Sequence, residues 1–239
     1  APFGLTSFLE LDDHLRETSN HHSILSSFAR GDVIEIQGGP ASGKTHLLYH
    51  LVSVCILPTA YGGWNKAAIL YDTDQGFDVR RLQQILITRV STHMLRAHQE
   101  GVDTASIVSG AMRNLRVFPV ESASQLSASL QELPAYHGEE LTTSEIAILA
   151  IDSLSAFYWE DRFAMESTRP RYSWSTRAFI DPNDLTERAR HPLHAILVAI
   201  QAMRLSHGPI IVLTNWGLQP APGHSTSPTT PLYRQHLPF

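Results

Sequence analysis

The chain has little cysteine, little lysine and few charged residues. Its 239 residues include one cysteine, Cys55, and two lysines, Lys44 and Lys66. A single cysteine cannot form an internal disulfide, which indicates a reducing compartment. Charged residues make up 17% of the chain and hydrophobic residues 43%, so the composition excludes a disordered chain and predicts one buried core.

The chain also lacks a surplus of positive charge and a long apolar run. Its formal net charge is −5, whereas a protein that binds nucleic acid by itself usually carries a basic surplus. We therefore expect any DNA contact to come from a local patch or through partners. The apolar runs at 47–57 and 195–203 are too short to span a bilayer, so we predict no membrane association.

Short apolar runs alternate with helical patterns along the chain. We predict strands at 33–37, 67–71, 115–120, 146–151 and 209–214, and helices at 44–56, 78–98, 124–133 and 191–205. This alternation predicts an α/β fold with a mainly parallel sheet and helices on both faces. Residues 163–190 show no clear period, and residues 217–239 are rich in Pro, Ser and Thr, which is typical of a loop or tail.

The strongest motif lies between the first predicted strand and the first predicted helix. It consists of Gly38, Gly39, Pro40, Ala41, Ser42, Gly43, Lys44 and Thr45, which match G-x-x-x-x-G-K-[ST]. Glycines let successive backbone N–H groups point at a β-phosphate, and the helix start adds its positive dipole end. We expect Lys44 to contact the β- and γ-phosphates and Thr45 to ligate Mg²⁺. The loop therefore predicts binding of a nucleoside triphosphate, most simply ATP with Mg²⁺, although a glycine-rich turn can match by chance.

Carboxylates follow two of the apolar runs. Asp152 ends the run at 146–151, which we expect to lie beside the strand of the phosphate loop, and it is the candidate to hold Mg²⁺ through water. The alternative is an aspartate that caps the next turn. Asp72 and Asp74 end the run at 67–71, where either carboxylate could polarise an attacking water or simply form a solvated acidic turn.

Taken in order, these segments resemble the RecA-type core of the eukaryotic recombinases and their paralogues. The resemblance lies in the phosphate loop, in Ile-Leu-Tyr-Asp-Thr-Asp at 69–74 and in Ile-Asp-Ser-Leu-Ser-Ala-Phe-Tyr-Trp at 151–159. It covers residues 5–162 well and 191–216 loosely. It implies a RecA-like ATP-binding core at 31–216, after an N-terminal lead-in at 1–30 and before the segment 217–239.

The resemblance also implies a role in homologous recombination and double-strand break repair, in the nucleus. It implies a mediator subunit that assembles with other RecA-core recombinase paralogues. Contact with single-stranded or branched DNA is then expected through the complex. The arginines of the 163–190 stretch fall where RecA-like proteins place a DNA loop, and they fit a phosphate contact and a solvated loop equally well. For the aromatic run Phe157, Tyr158 and Trp159, core packing is favoured over base stacking.

Two departures from the active recombinases bear on catalysis. The recombinases carry glutamate where this chain has Asp74, whose carboxylate is one methylene shorter. They also end the last core strand with a polar residue that senses the γ-phosphate, where this chain has Trp216, preceded by Thr214 and Asn215. Together these departures predict ATP binding with weak or absent hydrolysis and leave Asp74 as a weak catalytic candidate.

Two other functions compete with the mediator. One is a self-sufficient DNA-dependent ATPase or strand-exchange protein, and the other is a phosphate-loop kinase for a small molecule. The segment at 152–159 argues against the kinase. Asp74, Trp216 and the acidic net charge favour the mediator over the self-sufficient enzyme.

Overall fold

A computed structural model describes residues 4–18, 28–98, 101, 103–142, 144–168, 192–218 and 233–234. The strands are β1 (Val33–Gly38), β2 (Ala67–Asp72), β3 (Leu115–Pro119), β4 (Ile146–Asp152), β5 (Ile210–Leu218) and β6 (Tyr233–Arg234). The helices are α1 (Leu9–Thr18), α2 (Lys44–Ile56), α3 (Val79–Ala97), α4 (Thr104–Met112), α5 (Ala123–Glu140), α6 (Tyr158–Thr168) and α7 (Pro192–His207), with a short 3₁₀ helix at Thr59–Tyr61.

Five parallel strands form the sheet in the order β1-β5-β4-β2-β3, and β6 pairs antiparallel with the end of β5. Every residue of β2 and β4 is buried, which explains why these segments are continuous apolar runs in the sequence. Since the strands are parallel, the turns after β1, β2, β4 and β5 meet at one edge of the sheet. The predicted α/β fold is confirmed, and it is consistent with a RecA-like core.

The core lies in two layers, one on each face of the sheet. Alternate residues of β2 point to opposite layers: Ala68 and Leu70 pack with α2, α3 and α4, whereas Ile69 and Tyr71 pack with α5 and α7. This alternation follows from the period of two along a strand. The helices on both faces exclude water from the sheet, so its polar chemistry is confined to the strand ends.

Two predictions about the elements are wrong. β4 does not lie beside β1, because β5 is inserted between them. The helix predicted at 124–133 continues to Glu140 past Pro134, held by the buried face of Leu126, Leu130 and Leu133. Packing thus overrides the loss of one backbone hydrogen bond at proline.

Local patterns also missed the helices α1, α4 and α6. Part of the 163–190 stretch is helical, since α6 extends to Thr168, and β5 runs to Leu218, beyond the predicted end. Residues 169–191 lie outside the described residues, as do 219–232 and 235–239. The proposed core boundaries at 31 and 216 therefore stay predictions.

Among the helices of the described ranges, none combines the length and the apolar character that a bilayer span requires.

The two leucines of α3 at positions 86 and 95 test the packing. Leu86 has 0% of its surface exposed and Leu95 has 77%. We expect Leu86→Ala to lower the free energy of unfolding by about 3 kcal/mol, because it removes buried methyl groups and leaves a cavity. The same change at Leu95 should cost less than about 0.5 kcal/mol. Guanidinium chloride unfolding followed by circular dichroism measures both, and equal losses would contradict the layered core.

Candidate nucleotide site

The glycine-rich loop links the end of β1 to the start of α2. Gly43 has a φ of +90°, a left-handed conformation that favours glycine, and it forms the N-cap of α2 without a side-chain hydrogen bond. A Cβ at Gly38 would collide with Ser42 Oγ, so a larger residue here would force that side chain to move. The N–H groups of the first turn of α2 thus have no side-chain cap, which suits an anion at this helix end.

Lys44 folds back onto the loop. Its Nζ donates hydrogen bonds to the carbonyl oxygens of Gly38 at 3.0 Å and Gly39 at 2.9 Å. An ammonium group has three N–H donors, so one donor remains for another acceptor. The lysine predicted to contact phosphate is therefore held at the loop by two bonds that a phosphate oxygen can replace.

Thr45 and Asp152 meet as the motif predicts. Thr45 Oγ1 donates to Asp152 Oδ2 at 2.9 Å. The other carboxylate oxygen, Oδ1, accepts a hydrogen bond from the fully buried Thr214 of β5. Although β5 separates β4 from β1, the strand ends converge closely enough for Asp152 to reach the first turn of α2. The carboxylate does not cap a local turn, the alternative that the sequence left open.

The two aspartates of the acidic turn after β2 accept hydrogen bonds from different groups. Asp72 accepts hydrogen bonds from the backbone N–H groups of Gly76 at 3.1 Å and Phe77 at 3.0 Å, one on each carboxylate oxygen. Asp72 therefore shapes the turn. Asp74 is exposed, and its Oδ2 accepts a hydrogen bond from Ser153 Oγ at 3.0 Å.

The pKa of Asp74 is raised above its ordinary value. Partial burial is the main cause, and the negative charges of Asp152 and Asp72 add to it. The hydrogen bond from Ser153 acts in the opposite direction, as does the positive charge of Lys44. The carboxylate of Asp74 thus belongs to the electrostatic environment of the phosphate loop.

A chain of hydrogen bonds connects Asp74 to the end of β5. The N–H of Trp216 donates to Ser155 Oγ at 3.0 Å, Ser155 Oγ donates to Ser153 Oγ at 3.2 Å, and Ser153 donates to Asp74. Thr73 Oγ1 also donates to the carbonyl of Ser153 at 2.7 Å. Sequence reasoning missed this serine relay. The sole signal was two serines at alternate positions directly after the Asp152 strand.

Thr214 and Asn215, the two polar candidates for sensing the γ-phosphate, point to opposite faces at the end of β5. Thr214 reaches Asp152, whereas Asn215 points to the opposite face and its Nδ2 donates to Glu35 Oε1 at 2.7 Å. Trp216 lies in register with Gly38 of the phosphate loop and has 46% of its surface exposed. An indole has one donor and no acceptor, so this position lacks the paired polar groups of an amide.

The aromatic run after Asp152 divides between core and surface. Phe157 is buried, as predicted, but Trp159 has 51% of its surface exposed and stacks on the exposed Phe163 at a centroid distance of 6.2 Å. The packing prediction is therefore wrong for Trp159. The side chain of Arg162 lies outside the described part of the structure, as do Arg169, Arg171 and Arg177.

Comparison with known proteins finds relatives that are named as DNA repair proteins, although no family model matches the chain. The chain is 32% identical over 159 residues to the mouse DNA repair protein XRCC2, covering 66% of this chain and 50% of that protein. It is 28% identical over 160 residues to the XRCC2 homolog of Arabidopsis thaliana, covering 56% of this chain and 43% of that protein. It is 25% identical over 126 residues to the mouse DNA repair protein RAD51 homolog 2, covering 53% and 33%.

The chain spans half or less of the length of each of these relatives. The similarity agrees with the five-stranded parallel sheet and with the resemblance carried by the phosphate loop and the two acidic strand ends. On these grounds the chain is similar to the RecA-family recombinase paralogues, XRCC2 among them.

Proposed function

We propose that the chain is an ATP-binding subunit in homologous recombination, and that its phosphate loop binds Mg²⁺-ATP but hydrolyses it slowly or not at all. The observation that carries the proposal is the meeting of Lys44, Thr45 and Asp152 at one edge of the sheet. An ammonium, a hydroxyl and a carboxylate around a glycine-lined helix start form the donor set that a magnesium–triphosphate requires.

Each residue has a distinct task in this proposal. Lys44 exchanges its bonds to the loop carbonyls for oxygens of the β- and γ-phosphates. Thr45 and Asp152 would hold the magnesium ion, the carboxylate through water, while Thr214 fixes the carboxylate orientation. When bound, magnesium would neutralise phosphate charge.

We expect weak hydrolysis because of the residues at two positions, Asp74 and Trp216, that would lie near the γ-phosphate. The Asp74 carboxylate is one methylene shorter than glutamate, and its hydrogen bond from Ser153 holds it back toward β4. Trp216 places an indole where the active recombinases carry a polar sensor. A water-polarising base must lie within hydrogen-bond reach of the water, which the shorter Asp74 side chain makes harder. Both differences, at Asp74 and at Trp216, should therefore lower the rate of ATP hydrolysis more than the affinity for ATP.

The proposed biological role is that of a mediator in DNA double-strand break repair. The relatives named above are DNA repair proteins, which supports a role in DNA repair and recombination. The net charge of −5 favours contact with single-stranded or branched DNA through a complex. We therefore infer a nuclear hetero-oligomer with another RecA-core paralogue.

The exposed pair Trp159 and Phe163 favours a second candidate, a self-sufficient DNA-dependent ATPase or strand-exchange protein. Exposed aromatic rings offer stacking surfaces to unpaired bases. The same pair can equally be covered by a partner subunit in the mediator, so hydrolysis and partner recovery must discriminate between the two.

Nucleotide binding is tested by replacing each of the two lysines in turn. Lys44→Ala should weaken the binding of a fluorescent ATP analogue in Mg²⁺ by about tenfold or more, because it removes a charge-assisted contact to phosphate. Lys66→Ala is the matched control, since Lys66 pairs with Glu145 at 2.8 Å away from the loop. Equal affinity of the two variants would refute the proposed loop function.

Turnover is tested separately by phosphate release. The unaltered chain should release phosphate from ATP at a rate indistinguishable from that of Lys44→Ala, with and without single-stranded DNA, since Asp74 and Trp216 replace the catalytic groups. A DNA-stimulated rate that disappears in Lys44→Ala would instead establish the self-sufficient enzyme.

Partner recovery tests the mediator role. The tagged chain should capture from nuclear extract a second protein that carries its own RecA-type phosphate loop, identified by mass spectrometry. Lys44→Ala run in parallel shows whether nucleotide binding is required for assembly. Absence of such a protein, together with single-strand binding by the isolated chain, would contradict the mediator role.

A further inference from the structure

A second pocket lies between α2 and α3, away from the phosphate loop. It has a volume of about 380 Å³ and is lined by the segment Ser7–Phe8, by His50 of α2, by the 3₁₀ helix and by one face of α3. We propose that this basic pocket, defined by His50, Tyr61, Arg89, His93 and Arg96, binds a phosphate monoester group. The proposal is independent of nucleotide binding at Lys44.

Arg89 is the central cation of the basic pocket. Its guanidinium donates to Ser53 Oγ at 3.2 Å and to His50 Nδ1 at 2.9 Å, and both partners are neutral acceptors. Partial burial lowers the pKa of Arg89, which reflects the cost of desolvating its charge. In the described part of the chain Arg89 forms no ion pair, so an anion in the pocket would supply the missing counter-charge.

His50 orients Arg89 and does not compete with it for an anion. A guanidinium has only donors, so His50 Nδ1 must accept, and the ring is the neutral tautomer that carries its proton on Nε2. That Nε2 donates to the carbonyl of Thr6 at 2.7 Å. The nearby Asp12 is occupied on the other side, where its Oδ1 accepts from the N–H of Thr6 at 2.7 Å. Both contacts tie the segment before α1 to the wall of the pocket.

The remaining polar groups of α3 converge on the same pocket. Positions 89, 93 and 96 share one face of the helix because they are spaced by four and three residues. His93 Nδ1 is buried and has no hydrogen-bond partner among the described residues, although its ring packs edge-on against Tyr61 at 5.8 Å. Arg96 is exposed at the pocket mouth and forms no ion pair with a described residue. These side chains make the wall of the pocket polar and positively charged.

Charge and shape select the class of ligand. Two guanidinium groups match the near-double negative charge of a phosphate monoester, which offers three strong acceptor oxygens. The described residues that line the pocket include no aspartate or glutamate. A concave pocket suits a compact terminal group, whereas a nucleic-acid backbone requires a basic groove that follows several singly charged phosphates.

Isothermal titration with inorganic phosphate and with phosphoserine tests the proposal. The measurements use the full chain carrying Lys44→Ala, so that the glycine-rich loop does not compete, and circular dichroism verifies the fold. Arg96→Gln should weaken the binding of both ligands about tenfold, because it removes one charge-assisted hydrogen bond. Arg80→Gln is the matched control, since it removes the same charge from an exposed position of α3 outside the pocket. His93→Phe keeps an aromatic ring at this position but removes both imidazole nitrogens from the pocket wall, and it should also weaken binding.

The ligand arms separate the sources of the phosphate. Tighter binding of phosphoserine than of inorganic phosphate supports a phosphorylated side chain as the source, and the reverse order supports the free anion. The proposal is overturned if no heat is detected up to about 10 mM of either ligand, or if Arg80→Gln and Arg96→Gln lose affinity equally. The proposal is also overturned if Arg96→Gln weakens the binding of a single-stranded oligonucleotide but not the binding of phosphate or phosphoserine. The pocket would then serve a nucleic-acid backbone.

Discussion

The carboxylate of Asp152 is the contact on which the site depends. A buried carboxylate is costly unless hydrogen bonds replace its lost hydration. Here the hydroxyl of Thr45 bonds one oxygen and that of Thr214 bonds the other. These two bonds join the ends of β4 and β5 to the first turn of α2. The phosphate loop is thereby held against a strand that is not its neighbour in the sheet.

The rest of the strand-end chemistry is arranged around the same position. The carbonyl of Asp152 accepts the N–H of Thr73 at 2.9 Å, which attaches the acidic turn after β2 to β4. The serine relay then holds Asp74 from one side and the backbone of Trp216 from the other. The result is a hydrogen-bonded rim that brings Thr45 and Asp152, which are proposed to hold magnesium, close to Asp74 and Trp216, which are proposed to weaken turnover. This arrangement is the physical basis of the proposed binding without efficient turnover.

Helix α2 links this rim to the basic pocket. Its first turn carries Lys44 and Thr45, and its next turns carry Tyr49 and His50. The Tyr49 hydroxyl accepts the N–H of Asp78 at 2.7 Å and so sets the start of α3. About three turns further along α3, His50 meets Arg89. The packed helices α2 and α3 therefore lie beside the phosphate loop at one end and beside the basic pocket farther along.

The sequence by itself determined the parallel α/β sheet, the bounds of α2 and the identity of Lys44, Thr45 and Asp152, because continuous apolar runs and a fixed glycine spacing are local properties of a chain. It could not assign separate roles to Asp72 and Asp74, since both lie at the end of the same strand and differ in which donor groups meet them. The insertion of β5 between β1 and β4, the serine relay and the pairing of His50 with Arg89 were decided by the tertiary structure alone. Each joins residues far apart in the chain, and such contacts depend on strand order and helix packing, which no local pattern encodes.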